Sequence, residues 1–505
     1  MRYSLALVLA LGLTAGVQAQ NTASTSAVGN DNDVSIDQSG VTNTATVRQG
    51  VAGDAASNNE AFVDQDGISN TGTIEQTGDR NEGYVQQGVA DLAPGFRGTS
   101  SNNTATVIQS GDDNRGLGNV GSGVSDGAVI TQGLEQSGLA GTATGATARV
   151  EQSGDQGTAS VNQGLGGTVN GSEGNILQSG LDNTALMLQG SGFTTTGSQS
   201  TNDLAEITQR AGSVGNYARV RQGYDGASSD NATAELTQDG DDNDARVEQS
   251  GSTNKAIATQ VGDDNTFDAL QTGDRNAILD FEQLGNLNVA TMTQDGNDNE
   301  VEVAEQRGNR NTLTIDQDGD GNKAGVDNGS LPRPDAIDQR GNRNVGELTQ
   351  LGDRNTVFLE QIGNRNNALV TQGKSSREAF DNLASVEQIG NWNDVDIDVQ
   401  AGSDNVLSVF QEGDRNRAGI LNGDAPMPDA IDQQGSGNFA DLDQLGDDNT
   451  MYLEQFGDMN RAVMLQTGND NRADVFQMGN NDVATITQTG NNNTAVVSQS
   501  GTVIQ

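Results

Sequence analysis

Carboxylates are the only abundant groups in this 505-residue chain that could do acid–base or metal chemistry. There are 70 Asp and Glu against 26 Lys and Arg, and neither His nor Cys occurs. The commonest general base, the commonest metal ligand and every thiolate are therefore missing. Acid pairs remain: Asp241-Asp242, Asp263-Asp264 and Asp447-Asp448 could in principle cleave a glycosidic bond. Asp316, Asp318 and Asp320, followed by Gly321 and with Asp327 at the twelfth place, have the ligand spacing of a Ca²⁺ loop. Both signals weaken on inspection. Each Asp pair stands three residues after a Gln, at Gln238, Gln260 and Gln444, which is where a repeated turn falls. The same repeat accounts for Gly319 and Asn322, and Asp327 stands where Glu is usual. No unique cluster of acids and bases breaks the pattern, so the sequence indicates no enzyme, no cofactor and no metal.

What recurs is amide. Gln stands at 444, 455, 466 and 477, with Asn449, Asn460 and Asn471 five places after the first three. The unit is Gln-x-Gly-x-x-Asn followed by five residues. Phased Gln run from 238 through 249, 260, 271, 283, 294, 306 and 317, resume at 339, 350, 361 and 372, and return from 388 to 499. The intervals from Gln317 to Gln339 and from Gln411 to Gln433 read as two units with one degenerate copy inside. A catalytic site uses a polar residue once, whereas a stack of copies uses it in every copy.

The elements that must hold these amides follow from the unit itself. Gly two places after Gln, with Asp or Asn next to it, suits a tight turn. From Asn onward the side chains alternate: in NDARVEQ, Asn243, Ala245, Val247 and Gln249 share one face, and Asp244, Arg246 and Glu248 the other. Two strand-turn units close one coil of about 22 residues, and coils stacked at ~4.8 Å place each amide over its equivalent. The expectation is an all-β solenoid with internal ladders, in which buried amides bond along the stack. The ladder residues of the last coils are Gln444, Asn449, Gln455, Asn460, Gln466, Asn471, Gln477, Gln488, Asn493 and Gln499. Such ladders explain how a chain with 32% hydrophobic and 3% aromatic residues and a net charge of -44 can fold rather than remain a disordered polyanion.

Residues 1–19, with Arg2, an apolar run from Leu5 to Leu13 and Val17-Gln18-Ala19, read as a secretory signal peptide. An N-terminal segment, 20–37, is followed by irregular repeats over 38–238 and regular repeats over 239–505. Alternating short and long Gln spacings before Gln238 put the long loops after Gln163, Gln189 and Gln222 on one edge of the stack. All five prolines (94, 332, 334, 426 and 428) fall in interrupted units, as expected of residues that cannot donate a ladder hydrogen bond. NGSLPRPDAIDQ at 328 and NGDAPMPDAIDQ at 422 suggest a duplicated block. The acidic balance and scattered basic residues argue against nucleic acid as a partner, and after the leader no segment is long and apolar enough to span a membrane.

The spacing Gln-x4-Asn-x5-Gln with Gly two after the first Gln, seen in QTGDRNAILDFEQ at 271–283, resembles the curlin repeat of bacterial curli subunits. The resemblance implies a secreted functional amyloid: a homopolymer that self-assembles into extracellular, cell-surface fibres of the biofilm matrix and serves adhesion. It implies as partners a curli-type outer-membrane secretion pore and a nucleator. The chain departs from that family in its length, its proline loops and the Asn that stands where the first strand of each coil often has Ser. A surface-attached β-solenoid adhesin that does not polymerise is the alternative.

Overall fold

The structure, a computed structural model, describes residues 20–51, 56–88, 99–114, 128–133, 141–191, 197–224, 226–325, 336–374, 379–419 and 430–500. Residues 1–19, Asp327 and all five prolines lie outside them. The described residues contain strands and turns and no helix. They fall into two compact units, one up to Asp264 and one from Asn265.

Within each unit the chain alternates between two parallel sheets, one strand in each per coil. In the second unit Thr450–Phe456 pairs with Arg472–Met478, which pairs with Thr494–Ser500. The strands between them, Arg461–Thr467 and Val483–Thr489, pair in the facing sheet. Register sets like on like: Ala473 beside Ala495, Val475 beside Val497, Gln477 beside Gln499. The core is correspondingly thin, with an Ala row and a row of larger side chains: Ala440 and Leu442, Ala462 and Met464, Ala473 and Val475, all nearly inaccessible. Outward residues alternate with these, as the period-2 pattern requires.

In the first unit, Thr22–Ala27 pairs with Thr44–Gln49 and Asp33–Gln38 with Glu60–Gln65, so the segment 20–37 contributes a coil of its own. The long loops after Gln163, Gln189 and Gln222 leave one edge, as their spacing predicts. Their short strands Thr168–Asn170, Gln199–Thr201 and Ser228–Asp230 stack on one another as a further parallel ladder.

One expectation is overturned. The interval from Gln317 to Gln339 is a single half-coil, not two units with a degenerate copy. Gln339 accepts from Gln306, and Gln317 donates instead to Gln350, in both cases across 33 residues. Lys323–Ala324 and Ile337–Asn342 both pair with Thr356–Asn364, so they are two pieces of one strand. Arg417–Ala418 and Ile431–Ser436 are likewise joined beside Asp394–Ser403. Gly325 and Gly419, with φ of 72° and 79°, turn the chain out of the strand at each place. An insertion of about one unit's length imitates an extra copy in any count of residues.

The Gly of each turn is fixed by its neighbour as well as by its own backbone. Gly390 has φ +121°, and a Cβ there would sit 2.0 Å from the carbonyl oxygen of Gly413 in the next coil. Gly390→Ala should therefore cost about 3 kcal/mol, combining left-handed strain with displaced turns, and lower the denaturation midpoint. An unchanged midpoint would show that the turns are not in register.

Candidate functional site

The inward Gln form two continuous columns in each unit. Gln444 Nε2 donates to Gln466 Oε1 at 3.2 Å and Gln466 to Gln488 at 2.9 Å. In the facing sheet Gln455 donates to Gln477, and Gln477 to Gln499, both at 2.8 Å. The amide also donates across the coil, Gln455 to the Phe439 carbonyl at 3.2 Å and Gln477 to that of Arg461 at 3.1 Å. Gln455 and Gln477, each also accepting from the Gln one coil earlier, are thus satisfied three ways, and chained amides polarise one another. All donate toward the C-terminal side, so a column has an acceptor end and a donor end.

The Asn columns are also buried and bonded along the stack, mostly through the backbone. Asn449 Nδ2 donates to the Gly468 carbonyl at 2.8 Å, while its Oδ1 accepts the backbone N–H of Asn471 at 3.1 Å and also its Nδ2 at 3.1 Å. Asn471 treats Gly490 and Asn493 alike, at 2.8 and 3.0 Å. Asn460 donates to Gly479 at 2.9 Å and accepts the N–H of Asp482 at 3.0 Å, so that column passes to a carboxylate. Asn therefore ties backbone to backbone between successive turns. It adds amide-to-amide bonds at some steps, as from Asn471 to Asn449 and from Asn493 to Asn471.

The Asp pairs prove to be turn fittings. The first Asp accepts a backbone N–H from the preceding turn: Asp447 Oδ1 from Asp414 at 2.9 Å, Asp263 Oδ1 from Asp241 at 3.0 Å. The second takes the left-handed position, with φ of 52° at Asp242, 56° at Asp264 and 56° at Asp448. There Asp448 receives both arms of Arg415 at 2.7 Å, and this hydrogen bond holds its carboxyl below the usual range. These turn-to-turn bonds were invisible in the sequence, which suggests only bonds within a turn. Of the candidate calcium ligands, Asp320 Oδ1 is already engaged by the backbone and side chain of Asn297, at 2.8 and 3.1 Å. Burial pushes the Asp316 carboxyl up. Among the described residues no three acidic side chains gather as a metal site, and no helix is long and apolar enough to cross a membrane.

Two departures from the ladder leave a polar group under strain or titrating. Ala27 lies in register with Gln49, and Gln49 Oε1 is buried with no partner. Asp203 occupies an Asn position, 1% exposed, accepting from Ser200 at 2.6 Å and from the Ala232 N–H at 2.8 Å. Burial raises its carboxyl to about 6 from 3.8. A raised carboxylate binds its proton more tightly folded than unfolded, so stability falls as pH rises from about 4 through about 6. Asp203→Asn, which restores the residue found elsewhere in the column, should add up to about 3 kcal/mol at pH 7.5 and nothing near pH 3. Urea titrations of both proteins at the two pH values test this, and equal gains at both would refute the assignment.

At the last described coil, Val483–Thr489 and Thr494–Ser500 each pair on one side only among the described residues. Their inward Ala495, Val497 and Gln499 are half-exposed, whereas Ala473, Val475 and Gln477 one coil earlier are fully buried.

No curated protein matches the chain. The Curlin associated repeat family matches residues 29–67, 229–262, 240–273, 341–373, 380–413, 430–457, 453–477 and 468–501. These matches fall on the strand-turn units whose amides form the columns, and the chain is a curlin-repeat protein.

Proposed function

We propose that the mature chain is a secreted structural subunit that assembles end to end into curli-like extracellular fibres for adhesion and biofilm matrix. The stacked columns carry this reading: every coil offers the next the same strand edge and the same Gln donor, as Gln466 offers Gln488 and Gln477 offers Gln499, so a coil of a second copy can take the place of the next one. A second copy presenting Asp33–Gln38 to Thr494–Ser500 would continue one Gln column, because that strand begins at the acceptor end of its own. Export through a curli-type outer-membrane pore and growth from a nucleator are the partners this reading brings with it, and a cell-surface fibre is its location.

A surface-attached solenoid that does not polymerise is favoured by one observation. Ala27 stands at the Gln position of the first described strand, so a junction there would leave the second column interrupted for one coil. The deciding experiment incubates the purified mature chain and follows amyloid-dye fluorescence and fibre diffraction. Fibres should give reflections near 4.8 and ~10 Å. A chain that stays monomeric at high concentration and salt favours the adhesin.

A further inference from the structure

Along one edge of the second unit, the turns that follow Gln306, Gln339, Gln361 and Gln388 lie on successive coils. Their fourth residues are Arg310, Arg343, Arg365 and Trp392, each with φ near 60°. With Asn309, Asn342, Asn364 and Asn391 they line a groove of about 510 Å³. Other turn arginines are neutralised one coil on: Arg80 by Asp113, Arg275 by Asp298, Arg354 by Asp381, Arg415 by Asp448. Here the next coil offers another Arg or the Trp, and Arg310, Arg343 and Arg365 have no ion pair among the described residues. Neighbouring guanidinium groups one coil apart repel by about 1 kcal/mol even in water. Arg365 lies 4.3 Å from the centre of the Trp392 ring. Trp392 is 54% exposed and is the single Trp of the chain.

We propose that this groove binds a carboxylated polysaccharide, a polymer of uronic acids. An extended glycan advances by close to one coil spacing per sugar, so one carboxylate per sugar meets one guanidinium per coil, whose fork suits it. The floor supplies the hydroxyl contacts. Asn342 Nδ2 donates to Asn364 at 3.0 Å and Asn364 Nδ2 to Asn391 at 2.9 Å, which leaves the second proton of each amide for a ligand. Trp392 offers an apolar surface to a sugar face. A single-stranded nucleic acid wants several aromatic platforms for successive bases, and this groove has one, already stacked on Arg365.

The test uses the unassembled full-length mature chain and Trp392 fluorescence, so it does not depend on polymerisation. Titration with oligogalacturonate should change the emission saturably, more weakly as salt rises, and dextran should not. Arg310→Asn/Arg343→Asn/Arg365→Asn should weaken binding at least about tenfold. Asn already stands at this turn position at Asn481 and Asn492, so the fold tolerates it. Arg343→Lys should give an intermediate loss and Arg275→Asn none. An oligothymidylate that binds more tightly than the uronate, a triple variant that binds as well as the parent, or no emission change with uronate would each overturn the proposal.

Discussion

If the chain grows into fibres as proposed, Gln488→Lys and Gln499→Lys should stop that growth, while Thr487→Lys and Ser498→Lys should leave it close to the parent rate. Both pairs add the same charge to the same two strands and differ only in the face. Gln488 is 6% exposed and bonds inward to the Arg472 carbonyl at 2.9 Å; Thr487 and Ser498 are exposed. When another coil docks, an ammonium at 488 or 499 is buried among amides with no carboxylate, at a cost of several kcal/mol. That corresponds to a fall in growth rate of a hundredfold or more, on the order of 3 kcal/mol. The outward lysines instead reduce the repulsion between strongly acidic copies. Raising the salt should speed the parent, because screening shortens the reach of its negative surface. Seeded growth followed by dye fluorescence distinguishes the cases, and equal behaviour of the two pairs ends the fibre reading in favour of the adhesin.

Gln388→Leu, inside the second unit, should lose about 4 kcal/mol of stability with almost no change in volume. Gln388 receives Gln361 at 2.8 Å, donates to Gln411 at 3.0 Å and to the Asn367 carbonyl at 2.9 Å. Leucine strands two buried amide groups and a carbonyl, each costing 1–3 kcal/mol. Because coils touch mainly their neighbours, the damage should stay local. Hydrogen exchange should accelerate first in Thr356–Asn364, Leu383–Asn391 and Val406–Glu412, the three strands joined through this Gln. A variant as stable as the parent would mean that the apolar rows alone hold the coils.

What the sequence made legible was whatever is local or strictly periodic. Asn243, Ala245, Val247 and Gln249 declare their common face within seven residues, and Gly390 declares its turn. Identities that depend on which coil lies next were hidden, because coil length varies. Asn309, Asn342, Asn364 and Asn391 are linked across 33, 22 and 27 residues, so the arginines beside them look scattered in sequence and stand in file in space. The interval from Gln317 to Gln339 misled for a related reason. Its length equals two units, and only pairing shows that Ala324 and Ile337 belong to one strand. Asp447 was readable as a turn residue but not as the acceptor for a neighbouring turn, since a turn seen alone supplies its own donors.

The insertions after Ala324 and Ala418 carry nearly the same sequence, yet they interrupt opposite sheets: Gln339 stands in the column of Gln306 and Gln361, Gln433 in that of Gln400 and Gln455. Closely similar insertions are therefore accommodated on either side of the stack. Such a molecule need not grow or shrink by whole turns. Slippage of the coding sequence by a single eleven-residue step swaps the two sides for everything downstream and still leaves amide over amide. Length is then a quantity that heredity can adjust in small, nearly neutral increments, as a ruler is cut at any mark.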